Sequence, residues 1–283
     1  MKRLKNISVE AFTIVLFLLF LVPFVILVIN TGKDSNSIID SALALPENWG
    51  QFITNIQLIL TDPTVAYITS FVSSVIITVV SLVVIVLASS LCAWGLVRNK
   101  NKLSSIIFLV FVASMVIPFQ VVMFPLVSWY KMITDATGIE LLRSYLGIIL
   151  AYGGFGVALS VFLYHGFIKS IPLELEEAAM MEGCNQFQLF FKIIFPILRP
   201  ITVTVVILNG IWIWNDFLLP VQILGKGNAI QTLPIAVVNF VGSFVTQWNL
   251  VLTAALLAII PIVIVYLFLQ KHIIKGMVDG AVK

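Results

Sequence analysis

The sequence predicts an all-α, polytopic membrane protein with six transmembrane helices, and three observations carry that reading. Hydrophobic residues make up 60% of the 283 and charged residues only 10%, more apolar surface than a water-soluble core could hide, so lipid is the solvent for most of the chain. Six apolar stretches each reach the ~20 residues that a helix needs to cross a hydrocarbon core. The Lys and Arg residues gather on alternate connections, as they do where one face of a bilayer is cytosolic.

The six spans run roughly over 11–29, 67–97, 103–129, 146–168, 201–224 and 250–269. Span 1 follows a basic start and is as long as a full crossing, with no small-residue cleavage pattern before Asn30, so it reads as an uncleaved signal anchor. Span 2 is longer than a ~30 Å hydrocarbon core, so it must tilt or project into water. Lys2, Arg3, Lys5, Arg98, Lys100, Lys102, Lys169, Lys192, Arg199, Lys271, Lys275 and Lys283 fall on one side; Lys33, Lys131, Arg143 and Lys226 fall on the other. Twelve against four, from those two sets, puts both termini and the 170–200 connection in the cytosol. The net charge of +3 therefore reads as an orientation signal and not as a nucleic-acid surface. One domain over 1–283 is expected, with a core of about 67–271, span 1 peripheral, a loop at 170–200 and a tail at 270–283.

The 170–200 connection is too patterned for a linker. Ser170 can cap a helix, with Pro172 in its first turn. Glu174, Glu176 and Glu177 suit the positive end of that helix, and Ala178 and Ala179 favour it while leaving room for a partner. Gly183 suits the left-handed residue that ends it, and Asn185 can cap the next. Phe187, Phe190, Phe191 and Ile194 then fall at i, i+3, i+4 and i+7, one apolar face, with Pro196 as the stop and Pro200 opening span 5.

These residues carry a resemblance. Glu177-Ala178-Ala179, then Gly183, Ile193 and Phe195-Pro196, resemble the EAA loop of bacterial ABC importer permeases, which usually have Leu-Pro at the last two positions. Trp214-Asn215-Asp216-Phe217, Thr232-Leu233-Pro234 and the tail Gly276 and Gly280 to Lys283 are similar to the carbohydrate-uptake branch, within it the MalG-like subunit, with Asp279 where the family's tail usually has Ala. The resemblance implies a type I ABC importer permease fold with a cytosolic coupling-helix loop. Glu177, Ala178, Ala179, Gly183, Ile193 and Pro196 would then be ATPase-coupling residues. It also implies partners: a homologous second permease, two ABC ATPase subunits, an extracellular or periplasmic solute-binding protein docking on 30–66 and 225–249, and the lipid bilayer. The tail can reach toward the ATPases in such subunits.

The chain carries no sign of chemistry of its own. Gly225-Lys226-Gly227 is the nearest approach to a P-loop and has the wrong spacing. No nucleophile triad or metal-ligand spacing is visible, so no cofactor is expected, and Cys92 and Cys184 suggest neither disulfide nor metal. Within span 5, Asp216 with Asn215 and Trp214 could line a translocation path; Asp216 could equally tie span 5 to a neighbour, and Trp212 and Trp214 could be interfacial belt residues. His165 reads as a satisfied interface histidine. Gly153, Gly154, Gly156, Ala254, Ala255 and Ala258 permit close helix contact, and Pro118, Pro125, Pro220 and Pro261 permit kinks. The implied function is ATP-driven sugar or oligosaccharide import. The alternatives are another small solute, such as a polyol or glycerol phosphate, or an ion-coupled secondary transporter built on Asp216, which should show a charged pair or broken-helix repeat at mid-membrane.

Overall fold

The computed structural model describes residues 2–62, 66–225, 227–241 and 246–281, with side chains described between Val9 and Phe268 within those ranges. The helices are α1 (Lys2–Thr31), α2 (Ser35–Asp40), α3 (Gly50–Thr61), α4 (Tyr67–Arg98), α5 (Lys102–Ser114), α6 (Phe119–Thr137), α7 (Tyr145–Ile168), α8 (Glu174–Met181), α9 (Gln186–Gln188), α10 (Phe195–Ile197), α11 (Arg199–Asn215), α12 (Leu218–Ile223), α13 (Leu233–Asn239) and α14 (Trp248–Ala281). A π-helical stretch, Leu189–Ile194, joins α9 to α10. Lys226, part of the orientation signal, and residues 242–245, part of an expected docking segment, lie outside the described residues, as do Val282 and Lys283 of the tail.

Among the described residues, four helical segments are long and apolar enough to cross a membrane: Val9–Thr31, Tyr67–Arg98, Tyr145–Ile168 and Trp248–Phe268. They match spans 1, 2, 4 and 6. Span 3 was expected as one helix and is two: α5 and α6 meet at a 106° bend. The cause is Pro118, which N-caps α6, lacks an N–H and disfavours helical geometry at the residue before it, while Met115, Val116 and Ile117 close i→i+3 turns instead. Span 5 is also shorter than expected. Helix α11 stops at Asn215, because the Asp216 carboxylate accepts the Leu218 N–H at 3.0 Å and turns the backbone extended before α12 begins. The 186–197 stretch and α11 form a second bent pair, at 74°, so counting each bent pair as a single span brings the total to six.

The chain divides into two compact units. The first comprises residues 1–68 and 236–261. No residue from Val9 to Ile29 of α1 is buried within it; its last turn is fastened by a polar network. Asn30 Nδ2 donates to the carbonyls of Ile26 (2.8 Å) and Ala42 (2.9 Å), and Lys33 Nζ donates to Asn30 Oδ1 (3.0 Å) and the Ser41 carbonyl (2.8 Å). Asn55, fully buried, donates to the Thr31 carbonyl at 3.0 Å and accepts from Gln51 (3.1 Å) and Asn249 (2.8 Å). In the same unit Tyr67 OH donates to the Ala254 carbonyl at 3.1 Å, an approach that the small Ala254 side chain permits.

The second unit comprises 69–235 and 262–283. Helix α7 is its axis, packed against α5, α11 and α12. Ile148, Tyr152, Val161, Tyr164 and Ile168 are fully buried along it. Of Gly153, Gly154 and Gly156, the last is the one that close packing requires: a Cβ there would lie 2.5 Å from Ile85 Cδ1 and 2.8 Å from Asn209 Oδ1, and near the start of α7 a Cβ at Gly147 would collide with the Leu141 carbonyl oxygen. Asn209 reaches across to Ser160 Oγ at 3.1 Å, a buried interhelical hydrogen bond between α11 and α7.

Candidate functional site

The 170–200 segment folds as two short arms. The first, α8, does not start where the sequence suggested. Ser170 turns back to donate to the Phe167 carbonyl at 2.8 Å, and Leu173, after Pro172, is the residue that precedes the helix. Pro172 thus lies ahead of the first turn rather than in it. The helix ends as expected. Gly183 takes φ +87°, its N–H reaches the Met180 carbonyl at 3.0 Å, and the Cys184 N–H reaches the Ala179 carbonyl at 3.1 Å. That pair of bonds is a Schellman cap, which a left-handed glycine closes without strain.

Asn185 opens the second arm with a reciprocal capping box: its side chain accepts the Gln188 N–H at 2.9 Å, and Gln188 Oε1 accepts the Asn185 N–H at 3.1 Å. Pro196 does not stop this arm, which runs on to Ile197. A proline in an α-helix would orphan a carbonyl and clash with residue i−4. Here the preceding turns widen to π geometry, and Phe195 N–H bonds the Phe190 carbonyl, giving the ring room. The expected apolar face also divides. Phe190 and Ile194 are buried with Leu189, while Phe187 and Phe191 are exposed and pack on each other at 5.3 Å between ring centroids.

The three glutamates of α8 have different surroundings. Glu174 and Glu177 are exposed, with Ala178 and Met181. Glu176 is 3% exposed and turned inward. Arg98, the last residue of α4, meets it at 2.7 Å through Nη2 and donates from Nε at 2.8 Å, while Trp94 Nε1 donates to both carboxylate oxygens at 3.2 and 3.3 Å. Arg98 also donates to the Ile171 carbonyl at 3.2 Å, and Trp94 packs on Phe190 at 5.3 Å between centroids. The final turn of α4 therefore holds both arms. Sequence reasoning assigned Glu176 to the helix dipole and missed this joint. No local pattern sets Glu176 apart from its neighbours; in the structure it shares its inward face with Ala179, three residues on, which is buried too.

Among the other expected site residues, Glu177, Ala178, Ala179 and Gly183 lie together on α8 and its cap, whereas Ile193 is half-buried and Pro196 exposed on the second arm. Asp216 sits where α11 breaks, and Tyr152 OH donates to its Oδ2 at 3.1 Å. Trp212 meets Tyr152 edge to face at 5.3 Å. Trp214 is buried, with an edge contact on Phe71 at 6.0 Å. Asn215 is exposed, and its amide returns to the Ile211 carbonyl at 2.8 Å. An apolar cavity of about 940 Å³ lies between α6 and α7, walled by Trp129, Tyr130, Leu150 and Phe155 among others, and none of Trp214, Asn215 and Asp216 lines it. His165 is buried and stacked on Phe108 at 3.7 Å between centroids. Among the described residues no three His, Cys, Asp or Glu side chains gather as a metal site.

The family model described as "Binding-protein-dependent transport system inner membrane component" matches residues 85–279. The chain is 38% identical over 275 residues to the probable starch degradation products transport system permease protein AmyC of Thermoanaerobacterium thermosulfurigenes, covering 95% of this chain and 94% of that one. It is 34% identical over 269 residues to the multiple sugar-binding transport system permease protein MsmG of Streptococcus mutans, covering 94% and 93%. It is 38% identical over 215 residues to the melibiose/raffinose/stachyose import permease protein MelC of Bacillus subtilis, covering 76% and 75%. Its fold matches a bacterial ABC transporter involved in import of the acidic polysaccharide alginate, with a TM-score of 0.79 at 20% identity over 95% of this chain and 96% of that one. The chain belongs to the binding-protein-dependent transport system inner membrane components, the permease family of ABC importers.

Proposed function

We propose that this chain is the membrane-spanning permease subunit of an ATP-driven importer that brings a sugar or oligosaccharide into the cytosol. The observation that carries the reading is the two-armed 170–200 segment, capped at both inner ends, which leaves Glu177, Ala178 and Met181 free for a partner. In this reading Glu177 to Gly183 dock into an ATPase subunit, and Ile193 and Pro196 shape the supporting arm. Two ATPases lie below, a homologous permease completes the path, and a solute-binding protein docks from outside on 30–66 and 225–249. Both termini are cytosolic, as the twelve-to-four division of Lys and Arg among the connections supports. The sugar assignment is supported by the names of the relatives AmyC, MsmG and MelC.

Mechanistically, closure of the ATPases on ATP moves α8 as a lever, and the helices attached to it switch the path between inward- and outward-facing. Trp214, Asn215 and Asp216 mark the break between α11 and α12 and are the proposed path residues, with Tyr152 fixing the carboxylate. The test is affinity purification from the native membrane. Recovery of a second permease and a P-loop ATPase is expected, with ATP turnover abolished by Gly183→Pro or Glu177→Lys while the chain still inserts. Recovery of the chain alone, with uptake that survives ATP depletion, overturns the reading in favour of an ion-coupled transporter using Asp216.

A further inference from the structure

We infer that Glu176 and Arg98 form the joint through which α4 is driven, so that α4 and the coupling helix α8 move as one body. This rests on the coupling reading above and deepens it. The chain itself ties the two arms to α7 on one side and α11 on the other, since α8 follows α7 closely and the second arm leads straight into α11. Helix α4 has no such connection; 75 residues separate Arg98 from Glu174 (174 − 98 − 1). What fastens it is non-covalent. Arg98 grips the Glu176 carboxylate through Nε at 2.8 Å and Nη2 at 2.7 Å, and the Ile171 carbonyl at 3.2 Å. Trp94 donates to the same carboxylate and covers Phe190 on the second arm.

The geometry separates two jobs within one acidic turn. Glu177 faces outward, where a partner can reach it. Glu176, at 3% exposure, cannot touch a partner without breaking this joint, so it is a positioning residue. A guanidinium whose Nε and Nη2 converge on one carboxylate oxygen while Nη2 also donates to a carbonyl fixes direction as well as distance, which a point-charge lysine would not do. A joint of that kind passes on rotation, not merely proximity. The charges are largely desolvated, so removing either partner leaves an uncompensated ion, and separation during the transport cycle is disfavoured.

The test uses the complete importer purified with the subunits it carries and reconstituted in lipid vesicles. Spin labels replace the exposed Val83 of α4 and the exposed Leu175 of α8, which lies outside the Glu177–Gly183 docking segment, and their separation is read without nucleotide and after trapping with ATP and vanadate. In the otherwise native chain the separation should stay the same in both states. In Glu176→Gln, and in Arg98→Lys, which retains a charge should the first variant fail to insert, the distribution should broaden and shift between states by about 1–2 Å or more. The charge-swapped pair R98E with E176R should recover part of the narrow distribution, and co-recovery of the ATPase should stay within about twofold, because Glu177 is untouched. A native-like separation in both single variants overturns the joint. If instead Gly183→Pro leaves ATP turnover unaltered while the native separation is fixed, the coupling reading fails and the joint does not.

Discussion

Two polar clusters fasten long apolar helices in this protein, and they do it with different chemistry. At the end of α4 the fastening is an ion pair: Arg98 and Glu176 at 2.7 Å, with Trp94 as a third contributor. At the end of α1 it is a set of side-chain amides and backbone carbonyls around the fully buried Asn55, with Lys33 donating to Asn30 and to the Ser41 carbonyl. Opposed charges make the first cluster directional and intolerant of losing one member. The second is spread over several bonds, each worth about 1 kcal/mol net, so it can lose one and keep its shape.

The contrast is open to measurement. The largest effect is expected from Arg98→Met, which strands the Glu176 carboxylate in a buried position and should lower stability in detergent by about 3–5 kcal/mol; Arg98→Met with Glu176→Leu should recover most of that, and a double variant no better than the single would show that the charges themselves were not the problem. Asn55→Leu comes next. It leaves the Thr31 carbonyl, Gln51 and Asn249 each short of a partner, and a loss of about 2–3 kcal/mol is expected by thermal unfolding. Gly183→Ala should cost about 1 kcal/mol, because alanine at φ +87° strains the Schellman cap without touching either cluster.

The smallest effect is at Asp34, whose carboxylate caps α2 beside the second cluster. Hydrogen bonds from Ser37 hold its carboxyl below the ordinary 3.8, so the cap is in place above that pH and is lost as the pH falls through the lowered value. Amide exchange in α2 should accelerate only in strong acid, and Asp34→Ala should show the faster exchange at neutral pH.

Much of this architecture was legible in the sequence, because lipid demands long apolar helices and length alone finds them. Spans 1, 2, 4 and 6 follow from that demand, and Gly183 and Asn185 announced their caps correctly. The break of span 3 was signalled by Pro118 but treated as a kink, since a run of apolar residues gives no measure of how far a helix bends. Glu176 was harder to read. Three glutamates in a first turn all satisfy the helix dipole equally well, and only the position of Arg98, 78 residues earlier, turns one of them inward. The π-helical turns left no trace in the apolar pattern, because Phe187, Phe190, Phe191 and Ile194 suit an α-helix in sequence while Phe187 and Phe191 end up facing solvent.

The widened turns at Leu189–Ile194 have a consequence for azimuth. A π turn amounts to one residue more than the α-helical pitch needs, and each residue of an α-helix advances the side-chain direction by about 100°. Deleting a single residue between Leu189 and Ile194 would return the arm to α pitch with Pro196, Leu198 and the start of α11 facing nearly as they do, whereas the same residues drawn to α pitch without a deletion would swing them about a quarter turn around the arm's axis. Which face of α11 meets Gly156 and Ser160 of α7 is thus kept by the wide pitch of one turn a full arm away.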